Sequence, residues 1–299
     1  MAVTESNKWK GVTGGGNFGQ KFLIFLFKYC DVRVGYFFMY LTIPFYMLFG
    51  AKSRKAIFHY FEKVYGYKKN FRTLVLVWKT YNTFGKVLMD RFSVFSGQKH
   101  KFKVEDIGND LFFKLVKEKE GFMIIGSHTG NFEICGYLLK QVSKKIHALV
   151  FGGESEILQK QRFMRFEENN VEMLPVRDDM SHLFEINSAL QEGDIVAMPG
   201  DRALGSQKNL VCDFGNAKAE FPLGPFSVAA IRGVPLLAVF VFREKTYRYK
   251  VIVKPLEVDN QAANNKQKAE CLARKFAFEL YNNLKKYPCQ WFNFFEFFS

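Results

Sequence analysis

From residue 104 onward the chain alternates short apolar runs with stretches of helical periodicity, and no other feature limits its fold as much. Apolar runs at 122–126, 146–151, 171–176, 194–198, 235–242 and 247–254 read as strands. Between and around them, helices are predicted over 109–119, 131–142, 155–169, 181–191, 225–232 and 265–286, with a loop from 199 to about 222. Strands and helices in alternation build an α/β domain: a mixed, mainly parallel sheet flanked by helices. No internal repeat, low-complexity segment or interdomain linker interrupts it.

One strand-to-helix turn in this pattern carries chemistry. Phe122 to Ile125 is an apolar run bounded by glycines, and Ile134, Tyr137, Leu138 and Val142 follow at helical spacing. The small polar stretch Ser127-His128-Thr129-Gly130-Asn131 therefore sits at the carboxyl end of a buried strand, where α/β proteins place their sites. His128, followed five places on by Glu133, reads as a base with an orienting carboxylate. A Glu in a first helical turn is also favoured by the helix dipole alone. Asn131 suits a helix cap or a substrate contact, the cap being preferred, and backbone N–H groups of this turn can serve an oxyanion. No Gly-x-Ser-x-Gly elbow is present, which disfavours a hydrolase triad.

Ser-His-Thr-Gly-Asn-Phe-Glu (127–133) resembles the histidine-x4-acid motif of the lysophospholipid acyltransferase superfamily, and more closely that of the bacterial lipid A secondary (late) acyltransferases. Further blocks resemble that family in order: Met198-Pro199-Gly200-Asp201-Arg202; Phe214-Gly215 through Phe221-Pro222-Leu223-Gly224-Pro225; Gly233 to Leu237; and Pro288-Cys289-Gln290-Trp291-Phe292. Five such blocks in order are specific where one would not be. The resemblance implies a glycerolphosphate-acyltransferase-like fold and acyl transfer without a covalent enzyme intermediate. In it His128 is the general base and Glu133 its partner, with Asp201 and Arg202 near the substrate. The family often carries Glu where Asp201 stands, so the role of that acid is left open. Arg202 can hold a phosphate or close an ion pair within its loop. Arg162 and Arg165, three apart on one helix, fall where the family binds substrate, although a solvated helix face, with Lys160, Glu167 and Glu168 nearby, is the preferred reading. The aromatic tail from Trp291 to Phe298 can wedge into lipid or close over the core.

Charge divides the chain at about residue 103. Residues 1–103 hold 18 Lys+Arg against 4 Asp+Glu, whereas residues 104–299 hold 25 of each, so the whole net charge of +14 lies in the first third. We therefore delimit a basic, aromatic, membrane-associating helical region, 1–103, and an α/β acyltransferase domain, 104–299. An anionic partner is implied, and basic residues flanking aromatic runs fit a membrane surface better than nucleic acid, for which no zinc-finger or RNA-recognition signature is present. Val34 to Ala51 contains 18 residues without a charge, the short limit for crossing a bilayer. Pro44 and three tyrosines leave spanning, dipping and interfacial placement open, and a buried helix pair is the soluble alternative. Two helices are expected over 53–91, then a basic loop or short strand at 96–103. Residues 1–17 lack the apolar core of a secretory signal, and Gly14 to Gly19 lacks the Lys-Ser/Thr of a phosphate loop. Five cysteines, odd in number and without CxxC spacing, argue against a disulfide framework and a structural zinc site.

The resulting expectation is an acyltransferase on the cytoplasmic face of a bacterial inner membrane. Its donor is an acyl-carrier-protein (or CoA) thioester, and its acceptor is a membrane lipid hydroxyl, a lipid A precursor first. No cofactor or metal is implied. An amino-acid lipid or polyene acceptor would use the same chemistry. A non-catalytic lipid-binding protein is the rival from another class, and the spacing of His128, Glu133, Asp201 and Arg202 weighs against it.

Overall fold

The structure, a computed structural model, describes residues 16–138, 142–150, 156–177, 179–202, 208–259 and 261–298. The glycine-rich N-terminus (1–15), the end of the helix expected over 131–142 and part of the loop after residue 199 (203–207) lie outside the described residues.

Four helices come first: α1 (Gly16–Tyr29), α2 (Val32–Phe49), α3 (Ala51–Tyr65) and α4 (Phe71–Phe95). Each boundary has a local cause. Asp31 accepts the Arg33 N–H at 3.0 Å to cap α2, and Asn70 accepts the Thr73 N–H at 3.1 Å to cap α4. Gly66, in the left-handed region, closes α3. A 3-10 turn (Gln98–Lys101) then leads into β1 (Lys103–Ile107) and α5 (Asn109–Lys117).

Four strands and three helices then alternate: β2 (Phe122–Gly126), α6 (Glu133–Leu138), β3 (Ile146–Val150), α7 (Glu156–Glu167), β4 (Val171–Pro175), α8 (His182–Gln191) and β5 (Ile195–Pro199). The stretch expected to be loop up to 222 instead holds an antiparallel hairpin of β6 (Asn209–Phe214) and β7 (Ala217–Pro222). Gly215 at φ 67° makes its two-residue Gly-Asn turn, a hairpin signal masked by the charges of Asp213, Lys218 and Glu220. The chain ends with α9 (Gly224–Arg232), β8 (Leu236–Lys245), β9 (Arg248–Pro255), α10 (Asn265–Leu284) and an extended tail.

The main sheet has the order β1-β9-β8-β2-β5-β3-β4. Every pairing is parallel except β8 with β9, so β8, β2, β5, β3 and β4 run one way and the β1–β9 edge runs back. This is the mixed, mainly parallel sheet flanked by helices that the alternation predicts. Strand side chains alternate between two cores. Met123, Ile125, Val196, Met198 and Phe240 join one cluster with α3, α8 and α10, while Phe122, Ile195, Leu237 and Val241 join the other with α4, α5 and α7. The N-terminal helices thus share both cores with the sheet. The tail closes over the first core: Trp291, Phe292 and Phe298 are buried, so the lipid-wedge reading of these residues does not hold.

Candidate active site

The site follows from the pairing of β2 with β5. Phe122 to Gly126 register in parallel with Ile195 to Pro199, each residue 73 positions from its partner. Beyond the strand ends the register persists for one more bond, Gly200 N–H to Gly126 carbonyl at 2.9 Å. Two residues past each strand end stand His128 and Asp201, again 73 apart, and they meet. His128 Nδ1 lies 2.8 Å from Asp201 Oδ1, and the His128 backbone N–H donates to Asp201 Oδ2 at 2.7 Å. Trp291, from the tail, donates its indole N–H to the same Oδ2 at 2.9 Å.

Asp201 is completely buried whereas the His128 side chain keeps 22% of its surface exposed. Burial pushes the Asp201 carboxyl up, but the charge and hydrogen bond of His128, the neighbouring Arg202 and the Trp291 N–H outweigh it and hold the group below its ordinary value. The result is an ionised carboxylate fixed by three donors. With Nδ1 turned to it, imidazole Nε2 is the nitrogen left for a substrate, which is the arrangement of a general base with its orienting acid.

Glu133, expected to orient His128, is engaged elsewhere. Its Oε2 pairs with Arg91 Nε at 2.9 Å and accepts the Tyr137 hydroxyl at 2.6 Å, and its Oε1 pairs with Arg162 at 2.6 Å. The first turn of α6 points Glu133 inward between α4 and α7, while His128 faces the β5 loop. Burial pushes the Glu133 carboxyl up, yet Arg91 and Arg162 prevail and hold it below its ordinary value. Arg162 is buried in this cluster, so a solvated helix face does not describe it. Arg165 diverges: it bonds Glu168 at 2.9 Å and the Phe95 carbonyl at 3.2 Å, tying α7 to the end of α4.

Asn131 is buried beside Tyr249, and its backbone carbonyl receives the Ile134 N–H at 3.1 Å. Arg202 lies half-buried with its guanidinium 5.5 Å from the Phe295 ring centroid and a long 3.5 Å contact to the Phe292 carbonyl. Of the turn's N–H groups, that of His128 serves Asp201 and that of Gly130 serves the Gln290 carbonyl at 2.8 Å. Arg91, Tyr137 and Trp291 escaped the sequence reading as site residues. For Arg91 a signal existed: Asp90-Arg91 sits in an otherwise apolar stretch of α4, and charges there need buried partners. Among the described residues no group of three or more His, Cys, Asp or Glu side chains is arranged to hold a metal, and the five cysteines are unpaired.

Comparison with known proteins supplies the context for this geometry. The model of the family described as bacterial lipid A biosynthesis acyltransferase matches residues 39–298. No curated protein matches the chain. Among solved structures, one similar chain is the 1-acyl-sn-glycerophosphate (LPA) acyltransferase PlsC of Thermotoga maritima, with 15% identity, a TM-score of 0.39, and coverage of 91% of this chain and 99% of that one.

Proposed function

We propose, from the fact that this chain belongs to the bacterial lipid A biosynthesis acyltransferase family and is an acyltransferase, that it moves a fatty acyl group from a carrier-protein thioester to a lipid hydroxyl, a lipid A precursor first. The single observation that carries the mechanism is the buried His128–Asp201 pair on adjacent strand ends with imidazole Nε2 left for substrate. His128 Nε2 takes the proton of the acceptor hydroxyl as its oxygen attacks the thioester carbonyl. The C–O bond forms, the C–S bond breaks, and the imidazolium returns the proton to the departing thiolate. Asp201 keeps the Nδ1–H tautomer and supports the positive charge while it lasts.

In this reading Asp201 takes the orienting role that the motif spacing gave to Glu133. Glu133 instead binds Arg91 and Arg162 behind the loop and fixes the start of α6. Arg202, next to Asp201 and resting over Phe295, adds positive charge for a phosphate of the donor or acceptor.

The acceptor is lipid, and the N-terminal helices suit it. Val32–Phe49 is long and apolar enough to cross a membrane by composition. Yet Tyr36 and Ile43 are buried, and the Tyr36 hydroxyl bonds Asp90 of α4 and Arg243 of β8. One side of α2 is thus fixed to the protein, which favours a helix lying in the interface of the inner membrane's cytoplasmic leaflet over one that spans it.

Lipid mass spectrometry on the host lacking the gene tests the proposal. One lipid class should lose a single acyl group, wild type should restore it, and His128→Ala should not. Full complementation by His128→Ala would overturn the catalytic assignment in favour of lipid binding alone.

A further inference from the structure

The closing tail is built into the catalytic loop as well as packed near it. Gly130 N–H donates to the Gln290 carbonyl at 2.8 Å and Phe292 N–H donates to the His128 carbonyl at 3.0 Å, an isolated antiparallel bridge between Thr129 and Trp291. The Gln290 side chain fastens the other edge: its amide donates to the Arg243 carbonyl at 2.9 Å and its oxygen accepts the Arg243 N–H at 2.8 Å. The tail is therefore a short false strand laid between β8 and the His128 loop. Within it Trp291 is only 2% exposed, wedged among Phe297 (4.8 Å between ring centroids), Phe214 (5.1 Å) and Tyr60 (5.5 Å).

That packing aims the indole N–H at Asp201 Oδ2. A carboxylate on one χ2 torsion rotates freely unless donors hold both oxygens. Asp201 Oδ1 faces the His128 ring, and Oδ2 is held by two donors, the His128 backbone N–H and the indole N–H. The backbone N–H travels with His128 itself, so the indole is the one of these donors that ties the pair to the rest of the protein. We infer that Trp291 is a positioning residue for catalysis: its N–H fixes the Asp201 carboxylate so that His128 keeps its proton on Nδ1 and presents a bare Nε2. This inference rests on the His128–Asp201 reading above and extends it to the far end of the chain.

The test separates the N–H from the bulk of the ring. In the full chain, reconstituted in phospholipid vesicles, Trp291 is replaced by β-(3-benzothienyl)alanine, which keeps the two-ring shape and puts sulfur where the N–H was; Trp291→Phe is made in parallel. Two readouts are taken: kcat and KM for acyl transfer from a carrier-protein thioester across pH, and the ¹⁵N spectrum of the His128 ring, assigned against His128→Gln. A positioned base contributes roughly 10²–10⁴-fold, and loss of its alignment removes part of that, so kcat should fall about tenfold while KM stays within about twofold. Withdrawing the donor leaves Asp201 more basic and favours the imidazolium, so the acid limb of the pH profile should move to higher pH. The ring spectrum should move away from a pure Nδ1–H tautomer. A benzothienyl variant with wild-type kcat, pH profile and ring spectrum would overturn the inference, whatever Trp291→Phe does to folding. If wild type transfers no acyl group at all, the proposed function fails instead, and the ring spectrum alone still decides whether Trp291 positions the pair.

Discussion

The proposed mechanism gives Asp201 and Glu133 different work, and substitution separates them. Asp201→Asn keeps the shape but reverses the hydrogen-bond preference at His128 Nδ1, favouring the wrong tautomer; kcat should fall by about 10³-fold or more in a protein that still folds. Glu133→Gln should act chiefly on stability. It leaves two buried guanidinium groups facing a neutral amide, a change expected to cost about 3 kcal/mol, read from urea unfolding. A catalytic loss at Glu133→Gln matching that of Asp201→Asn, with stability intact, would return the orienting role to Glu133. Acid sensitivity follows from the same pair. Burial raises both carboxyls, but the surrounding cations hold both below their ordinary values of 4.5 for Glu133 and 3.8 for Asp201. The unfolded chain therefore binds protons first as pH falls. The stability these groups contribute is complete above about pH 4.5 and is lost as pH drops through their folded values, and urea midpoints between pH 6 and pH 3 should show that slope. The slope should flatten in Glu133→Gln.

At the scale of elements, the site depends on how closely the His128 loop lies against β8. Gly130 has φ 48°, in the left-handed region, and a Cβ there would collide with the Val241 carbonyl oxygen. Both the conformation and the space call for glycine. Gly130→Ala should cost about 2–3 kcal/mol and lower kcat by displacing the Thr129–Trp291 bridge, to be measured by thermal unfolding and acyl transfer together. The local elements were largely legible: β2, its turn and its helix can be read from glycine bounds and periodicity, and β8, β9 and α10 likewise. The lateral order of strands was not. Periodicity reports which face of a strand is buried, never which strand lies beside it. The 73-residue offset that joins His128 to Asp201 exists only once β2 and β5 are paired. Glu133, five residues away, was the nearest acid in sequence and so the natural partner on spacing alone. Arg91 falls at the end of the second helix expected over 53–91; its apolar neighbours signal burial, but its partner Glu133 is set only where α4 meets α6 and α7. The tail's bulk was legible as aromatic, but its direction needed the Gln290 clamp on Arg243.

The whole molecule is asymmetric in charge and in apolar exposure, and the two asymmetries coincide. Phe22, Phe25, Phe37, Phe45, Leu48 and Phe49 on α1 and α2 are each more than half exposed, while Lys21 and Lys28 on α1 and Lys52 and Lys55 in the first turns of α3 also stand exposed. Lys21 and Lys28 also share a cleft of ≈ 300 Å³ with Lys160 of α7. In the proposed attachment such a surface would meet a bilayer through two forces of different strength. A phenylalanine buried from water contributes about 1.5–3 kcal/mol, whereas a lysine near an anionic leaflet contributes about 1 kcal/mol and is screened by salt. The aromatics should therefore decide whether the protein binds, and the lysines which lipids it prefers. In flotation with vesicles, wild type should stay bound through 1 M salt and prefer anionic over zwitterionic lipid. Replacing Phe22, Phe25, Phe37 and Phe45 by Ser should release it from both. Replacing Lys21, Lys28, Lys52 and Lys55 by Gln should abolish the preference but leave it bound. Release of wild type by salt alone would mean that the exposed aromatic face does not enter lipid, and the attachment would then be purely electrostatic.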